Sequence, residues 1–200
     1  MNFSSKLVLA SNSPRRQELL AKLGLNFTIR VKEVDESFPA NLHRHEIAEY
    51  LASKKAEAYR EDLAEKEILL TADTIVCLED QVLNKPADFA EARTMLQSLS
   101  GKAHEVITGV CLLAQQHKII LHDVTWVYFK SLSEEEINWY LETYQPFDKA
   151  GAYGAQDWIG MVAIHRLEGS FYNVMGLPVH KVYEALQTLE SQIHPDSTNY

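Results

Sequence analysis

Cysteine is scarce in this 200-residue sequence: only Cys77 and Cys111 are present, and no CxxC pair. Two thiols do not make a disulfide framework, and each lies among apolar residues, where a small buried thiol is the expected role. Long apolar runs are missing too. None approaches the roughly 20 residues of a membrane-spanning helix, and Leu7 to Ala10, the longest near the N-terminus, is shorter than the core of a signal peptide. A cytoplasmic protein with no membrane partner is therefore expected. Positive charge is the third shortage, with 19 Lys and Arg against 28 Asp and Glu, net −9. A chain that neutralises a nucleic-acid backbone shows the opposite balance. No polynucleotide partner is expected, whereas a small anionic substrate needs only a few converging cations.

Familiar nucleotide and nucleophile motifs are also absent: there is no GxGxxG, no Walker A sequence and no GxSxG elbow. No repeat, low-complexity tract or Pro/Gly-rich linker divides the chain. Globular averages of 46% hydrophobic and 24% charged residues argue against disorder. The coarse pattern alternates strands with helices. Leu7–Ala10 predicts a short buried strand, and Ser13 predicts a cap for a helix with Pro14 in its first turn and Gly24 as its stop. Asn26 to Val31 predicts a strand, and Ile47, Leu51 and the alanines at 48, 52 and 56 keep helical spacing through about Tyr59. Phe89–Leu99 predicts a helix, and Val106–Leu113 and Lys118–Lys130 predict strands joined by a polar hairpin. Ser133 with Glu136 forms a capping box. A strand is expected from about Gly160 to Leu167, then a last helix carrying Val179 to Leu189, with the polar tail from 193 to 200 disordered.

Four groups of residues could carry chemistry. Ser11-Asn-Ser-Pro-Arg-Arg16 lies between a strand and a helix, where unpaired N–H groups attract phosphate; Ser11, Ser13 and Arg15 would add hydroxyl donors and a guanidinium. Asp73 stands alone inside the apolar run Ile68–Cys77, a costly place for a carboxylate without a cation, a metal or a cleft. Lys54-Lys55 and Lys85-Pro86 are a third set, with Glu36 as a hard oxygen ligand able to share Mg²⁺ with phosphates. Asp148-Lys-Ala-Gly-Ala-Tyr-Gly-Ala-Gln156 suggests close backbone approach to a flat or charged group, and the Gln156 amide can read a base edge.

Taken together these motifs resemble the Maf family of nucleoside triphosphate pyrophosphatases. Ser11-x-Ser-Pro-Arg-Arg16, Asp35-Glu-Ser37, Lys55-Ala56, Ala72-Asp-Thr74, Lys85-Pro86, Thr108-Gly-Val110, Asp148–Tyr153 and Asn173–Pro178 follow that family's order and approximate spacing, from about Leu7 to Leu189. The resemblance implies an α/β fold of the Maf and inosine triphosphatase type: a long mixed central sheet flanked by helices, with two lobes and a cleft between them, in one domain over residues 1–192. It implies hydrolysis of a nucleoside triphosphate to the monophosphate and pyrophosphate with a divalent cation, Mg²⁺ or Mn²⁺. A homodimer is a further expectation.

Motif by motif, the resemblance makes Asp73 the general base, with Lys55 and Lys85 as catalytic cations and Glu36 as the metal ligand. Ser11, Ser13 and Arg15 would bind the substrate. Arg15, Thr74 and Gln156 correspond to the specificity positions of the branch acting on dTTP and UTP. One place departs from the pattern: Ala155-Gln-Asp157 replaces the usual Ile-Gln-Gly. The alternatives are a pyrophosphatase for other nucleotides such as 7-methyl-GTP, and a non-catalytic nucleotide-binding regulator of cell division.

Overall fold

In the computed structural model, which describes residues 3–194, the apolar runs of the sequence become strands of one mixed sheet. The strands are β1 (Lys6–Leu9), β2 (Phe27–Ile29), β3 (Glu67–Leu78), β4 (Gln81–Leu83), β5 (Ala103–Leu113), β6 (Lys118–Phe129) and β7 (Ile164–Glu168). Hydrogen bonding orders them β2-β1-β3-β5-β6-β7, with β4 also on β3. β1 runs parallel to β2 and β3, its Leu7 opposite Phe27 and Ile68. β4 and β7 run antiparallel to β3 and β6. The helices are α1 (Pro14–Lys22), α2 (His45–Glu57), α3 (Phe89–Leu99), α4 (Glu134–Tyr144), α5 (Trp158–Ala163), α6 (Phe171–Val174) and α7 (Val179–Ile193). This is the mixed α/β fold expected of the sequence. No helix among the described residues is long and apolar enough to cross a membrane.

The chain divides into two compact units, and β3, β5 and β6 contribute residues to both. The first holds the described residues up to Asp73, Thr108–Asp123 and those from Gly176 on. Within it Val8, Ala52, Ala56, Tyr59, Leu69, Cys111 and Leu113 form a buried apolar cluster. The second unit, Thr74–Ile107 and Val124–Met175, has its own core around Leu96, Leu99, Val127, Phe129, Tyr140, Leu141 and Ile159. Both cysteines are buried, and burial pushes the Cys111 thiol up to about 11, so it stays protonated and inert at neutral pH.

Several expected elements differ in detail. The strand foreseen from Gly160 to Leu167 is a helix through Ala163 followed by β7. Ser13 occupies the N-cap position of α1, but its side chain makes no cap bond; Ser11 Oγ instead accepts from the Ser13 N–H at 3.2 Å. The second strand is three residues long, and the short β4 carried too little pattern to be seen in advance. The Ser133–Glu136 capping box is present as read. Of the expected tail, Ile193 ends α7 and His194 follows it, while residues 195–200 lie outside the described residues.

The contact that matters most for the site is that of α2 with the sheet. Ala48, Ala52 and Ala56 recur every fourth residue and are all fully buried, a stripe small enough to bring the helix backbone close to the strands. Thr71 of β3 donates its hydroxyl to the Ala52 carbonyl at 2.7 Å. Gly109 of β5 lies so near that a Cβ there would stand 2.3 Å from the Ala48 carbonyl carbon and oxygen. The glycine of the Thr-Gly-Val motif is thus the seat of α2. Gly109→Ala is expected to lower stability by about 3 kcal/mol, the upper range for overpacking a core, read as a fall in Tm of the purified protein.

Candidate active site

Asp73 is the one carboxylate in β3's buried run, and strand periodicity explains its partner. Residues two apart on a strand share a face, so Asp73 lies on the same face as Thr71, which anchors the Ala52 carbonyl of α2. Lys55, three residues along that helix and therefore one turn further, brings its Nζ to 2.5 Å from Asp73 Oδ1. The same ammonium lies 2.7 Å from Glu36 Oε1. Both members of the Lys55–Asp73 pair are largely shielded, with side chains 18% and 12% exposed. A carboxylate that would be costly alone in an apolar strand is compensated there by a charged hydrogen bond.

The loop carrying Glu36 is held by the neighbouring lysine. Lys54 Nζ lies 2.9 Å from Asp35 Oδ2 and donates to the Ser37 carbonyl at 2.9 Å. Ser37 donates its hydroxyl and its N–H to the Asp35 carboxylate. Lys54 and Lys55 therefore grip the Asp35-Glu36-Ser37 loop from successive positions of one helix.

The N-terminal motif joins the same electrostatic neighbourhood. β1 ends at Leu9 and the Ala10 N–H still pairs with the Leu70 carbonyl at 2.9 Å. This places Ser11, which is buried, beside the first turn of α1. Arg16 Nε donates to the Gly176 carbonyl at 2.8 Å and its Nη1 approaches Ser11 Oγ at 3.4 Å. Gln17 Nε2 donates to the Ser11 carbonyl at 3.3 Å. Burial lowers the Arg16 pKa from its ordinary value, opposed by the charges of Asp73 and Glu36. Ser11, Glu36, Lys55 and Asp73 are thus brought together, with Ser13 and Arg15 at the start of α1. Arg16 is the residue that sequence reasoning missed, having singled out Arg15 of the adjacent pair.

Thr74, Lys85 and Gln156 belong to the second unit. There the Asn84 carbonyl, next to Lys85, accepts from the Gly151 N–H at 3.2 Å, so the Lys85-Pro86 turn and the Asp148–Gln156 loop are neighbours. Lys85 and Gln156 are exposed and Thr74 is partly so. Beneath the loop, Tyr153 and His104 share a hydrogen bond of 2.8 Å, and burial pushes the His104 pKa down to about 3.

A model of the Maf-like protein family matches residues 6–189. The chain belongs to the Maf family. Maf relatives of similar length align with almost all of it. The dTTP/UTP pyrophosphatase of Bacteroides thetaiotaomicron is 50% identical over 185 residues, 92% of this chain and 96% of the relative. That of Flavobacterium psychrophilum is 49% identical over 180 residues, 90% and 92% of the two chains. That of Cytophaga hutchinsonii is 47% identical over 186 residues, 93% and 85%.

Among the described residues no group of three or more His, Cys, Asp and Glu side chains forms a metal cage. Glu36 and Asp73 nonetheless converge on a single cation position, the Lys55 ammonium. One or two carboxylates with substrate phosphates and water are the usual donor set for Mg²⁺. The residues present fit a divalent ion that arrives with its nucleotide.

The Asp35 carboxyl is held down at about 2, first by the Ser37 hydroxyl and then by Lys54. A lowered carboxyl pKa adds stability above the ordinary value of 3.8 that is lost as pH falls through about 2. An NMR titration should place the Asp35 midpoint there, and Ser37→Ala should raise it further than Lys54→Met does.

Proposed function

We propose that the protein hydrolyses dTTP and UTP to the nucleoside monophosphate and pyrophosphate. The observation that carries this reading is the Lys55 ammonium joined to both Glu36 and Asp73, in a chain whose relatives at about half identity are named for that activity. Water adds to the α-phosphorus, the bond from that phosphorus to the α–β bridging oxygen breaks, and pyrophosphate leaves with that oxygen. Asp73 accepts the proton of the attacking water. Its hydrogen bond to Lys55 fixes the carboxylate's orientation, leaving the other oxygen, Oδ2, to take the proton.

Charge grows on the bridging and leaving oxygens as that bond breaks, so cations aimed there stabilise the transition state. Lys55, Lys85 and Arg15 supply that charge in this reading, with Ser11 and Ser13 as neutral donors at the start of α1. Arg16 holds the Ser11 segment to the Gly176 carbonyl. Glu36 would hold the divalent cation, which when bound supplies Lewis-acid neutralisation of the phosphate oxygens. Recognition of the pyrimidine is assigned to Arg15, Thr74 and Gln156. The parts of Thr74, Lys85 and Gln156 stand on the family resemblance.

Asp73→Asn keeps the shape of the side chain and removes its basicity. Pyrophosphate release from dTTP and UTP with Mg²⁺ or Mn²⁺ is expected to fall about 10³-fold, with nucleotide binding retained. Wild-type release by the purified variant removes Asp73 from the role of base. Preference for dTTP and UTP over ATP, GTP and 7-methyl-GTP in the same assay checks the substrate class. Tight binding without turnover on any of them, by the wild-type protein, would establish a regulator instead.

A further inference from the structure

Gly154, Ala155, Gln156 and Asp157 form a four-residue turn, closed by the Asp157 N–H donating to the Gly154 carbonyl at 3.0 Å. Gln156 is exposed at its third position. Tyr140 of α4 is completely buried, and its single oxygen reaches both ends of this turn. The Tyr140 hydroxyl accepts from the Gly154 N–H at 3.2 Å and donates to Asp157 Oδ2 at 3.0 Å. Lys149 Nζ stands 3.7 Å from the same Oδ2. The fit is tight on both sides. A Cβ at Gly154 would lie 2.5 Å from Asp157 Oδ2, and one at Gly160 would lie 1.9 Å from the Ala155 carbonyl oxygen.

Two further facts show that the Asp157 carboxylate is committed to this clasp. Asp157 sits at the N-cap position of α5, where an aspartate ordinarily accepts from the helix's own first N–H groups. It makes no such bond, having turned to Tyr140 instead. Burial, followed by the Asp157 charge, raises the Tyr140 pKa above its ordinary value, so the phenol keeps its proton and remains the donor.

We propose that Asp157, held by Tyr140 and Lys149, is a positioning residue that fixes the turn presenting Gln156 and thereby sets the preference among nucleotide bases. The proposal rests on the assignment of Gln156 to base recognition. Ordering one long side chain in advance is worth a factor of about 2 to 12 in affinity. The effect therefore falls on KM and on discrimination rather than on the chemical step.

The test is steady-state pyrophosphate release by the full chain on dTTP, UTP, ATP and GTP, with Tm recorded for each variant. Tyr140→Phe and Asp157→Ala should each raise KM for dTTP and UTP about tenfold, leave kcat within about twofold and shrink the preference over purines. Asp157→Asn retains an acceptor for the phenol and should stay near wild type. Tyr140 is a core residue, so Asp157→Ala decides the matter where Tyr140→Phe fails to fold. Wild-type KM and preference in the Asp157→Ala variant overturn the proposal, as does a fall in kcat equal on every nucleotide with preference intact. Gln156→Ala is measured beside them. If it loses preference while Asp157→Ala keeps it, the clasp alone is overturned. If Gln156→Ala keeps the wild-type preference, the assignment of Gln156 fails and the clasp proposal falls with it.

Discussion

The active-site side of this protein depends on one helix lying very close to one strand. The alanine stripe of α2 and the missing side chain at Gly109 let the backbone of the helix approach the sheet, and the Thr71 hydroxyl fixes its register through the Ala52 carbonyl. Everything charged then follows by periodicity. Asp73 shares a face with Thr71 because strands alternate, and Lys55 lies one turn past Ala52 because helices repeat every 3.6 residues. The 2.5 Å pairing of Lys55 with Asp73 is the meeting of those two periods. A shift of α2 by one residue would turn Lys55 by about 100° and leave the buried carboxylate without its cation.

That pairing also explains how an acidic chain can serve an anionic substrate. A net charge of −9 repels a polyanion at long range, but such repulsion is screened beyond about 8 Å at physiological ionic strength. Within that distance Lys54 and Lys55 pair with Asp35, Glu36 and Asp73, and the charges of Asp73 and Glu36 act on Arg16. Carboxylates and cations there are matched rather than in excess. The loop bearing Glu36 is held by α2's two lysines.

Much of this could be read in advance. A single Asp in an apolar strand announced a compensated or functional carboxylate, the Ser133–Glu136 spacing announced a capping box, and the order of short motifs announced the family. What escaped the sequence has identifiable causes. Trp158-Ile-Gly-Met-Val-Ala163 is a short, almost wholly apolar run, and periodicity cannot separate strand from helix over so few residues; the run proved to be a helix. Arg15 and Arg16 differ only in helical phase. Ser13 stands at the N-cap, yet its side chain makes no cap bond, and Ser11 Oγ accepts from the Ser13 N–H just outside the helix. For the arginines the missing information was a relation between elements, and local sequence carries little of that.

Chemistry and selectivity make different demands on a fold, and here they have different physical solutions. Cleaving a phosphoanhydride bond needs concentrated charge, and in the proposed reading the Glu36, Lys55 and Asp73 triad supplies it on regular elements and one clamped loop. Telling one base from another needs a neutral group in a defined place, since a site built to hydrogen-bond its substrate rejects an analogue only when its own donors and acceptors would be left unpaired. An exposed glutamine on a free loop could rotate to satisfy itself with water and would reject little. On the role proposed for Gln156, the selectivity of its turn scales with its rigidity, to which the phenol buried beneath it contributes. An aspartate after the glutamine places a carboxylate in a partly apolar environment, a net cost unless it finds a donor. It finds Tyr140 and Lys149, so this carboxylate gives the turn a second attachment.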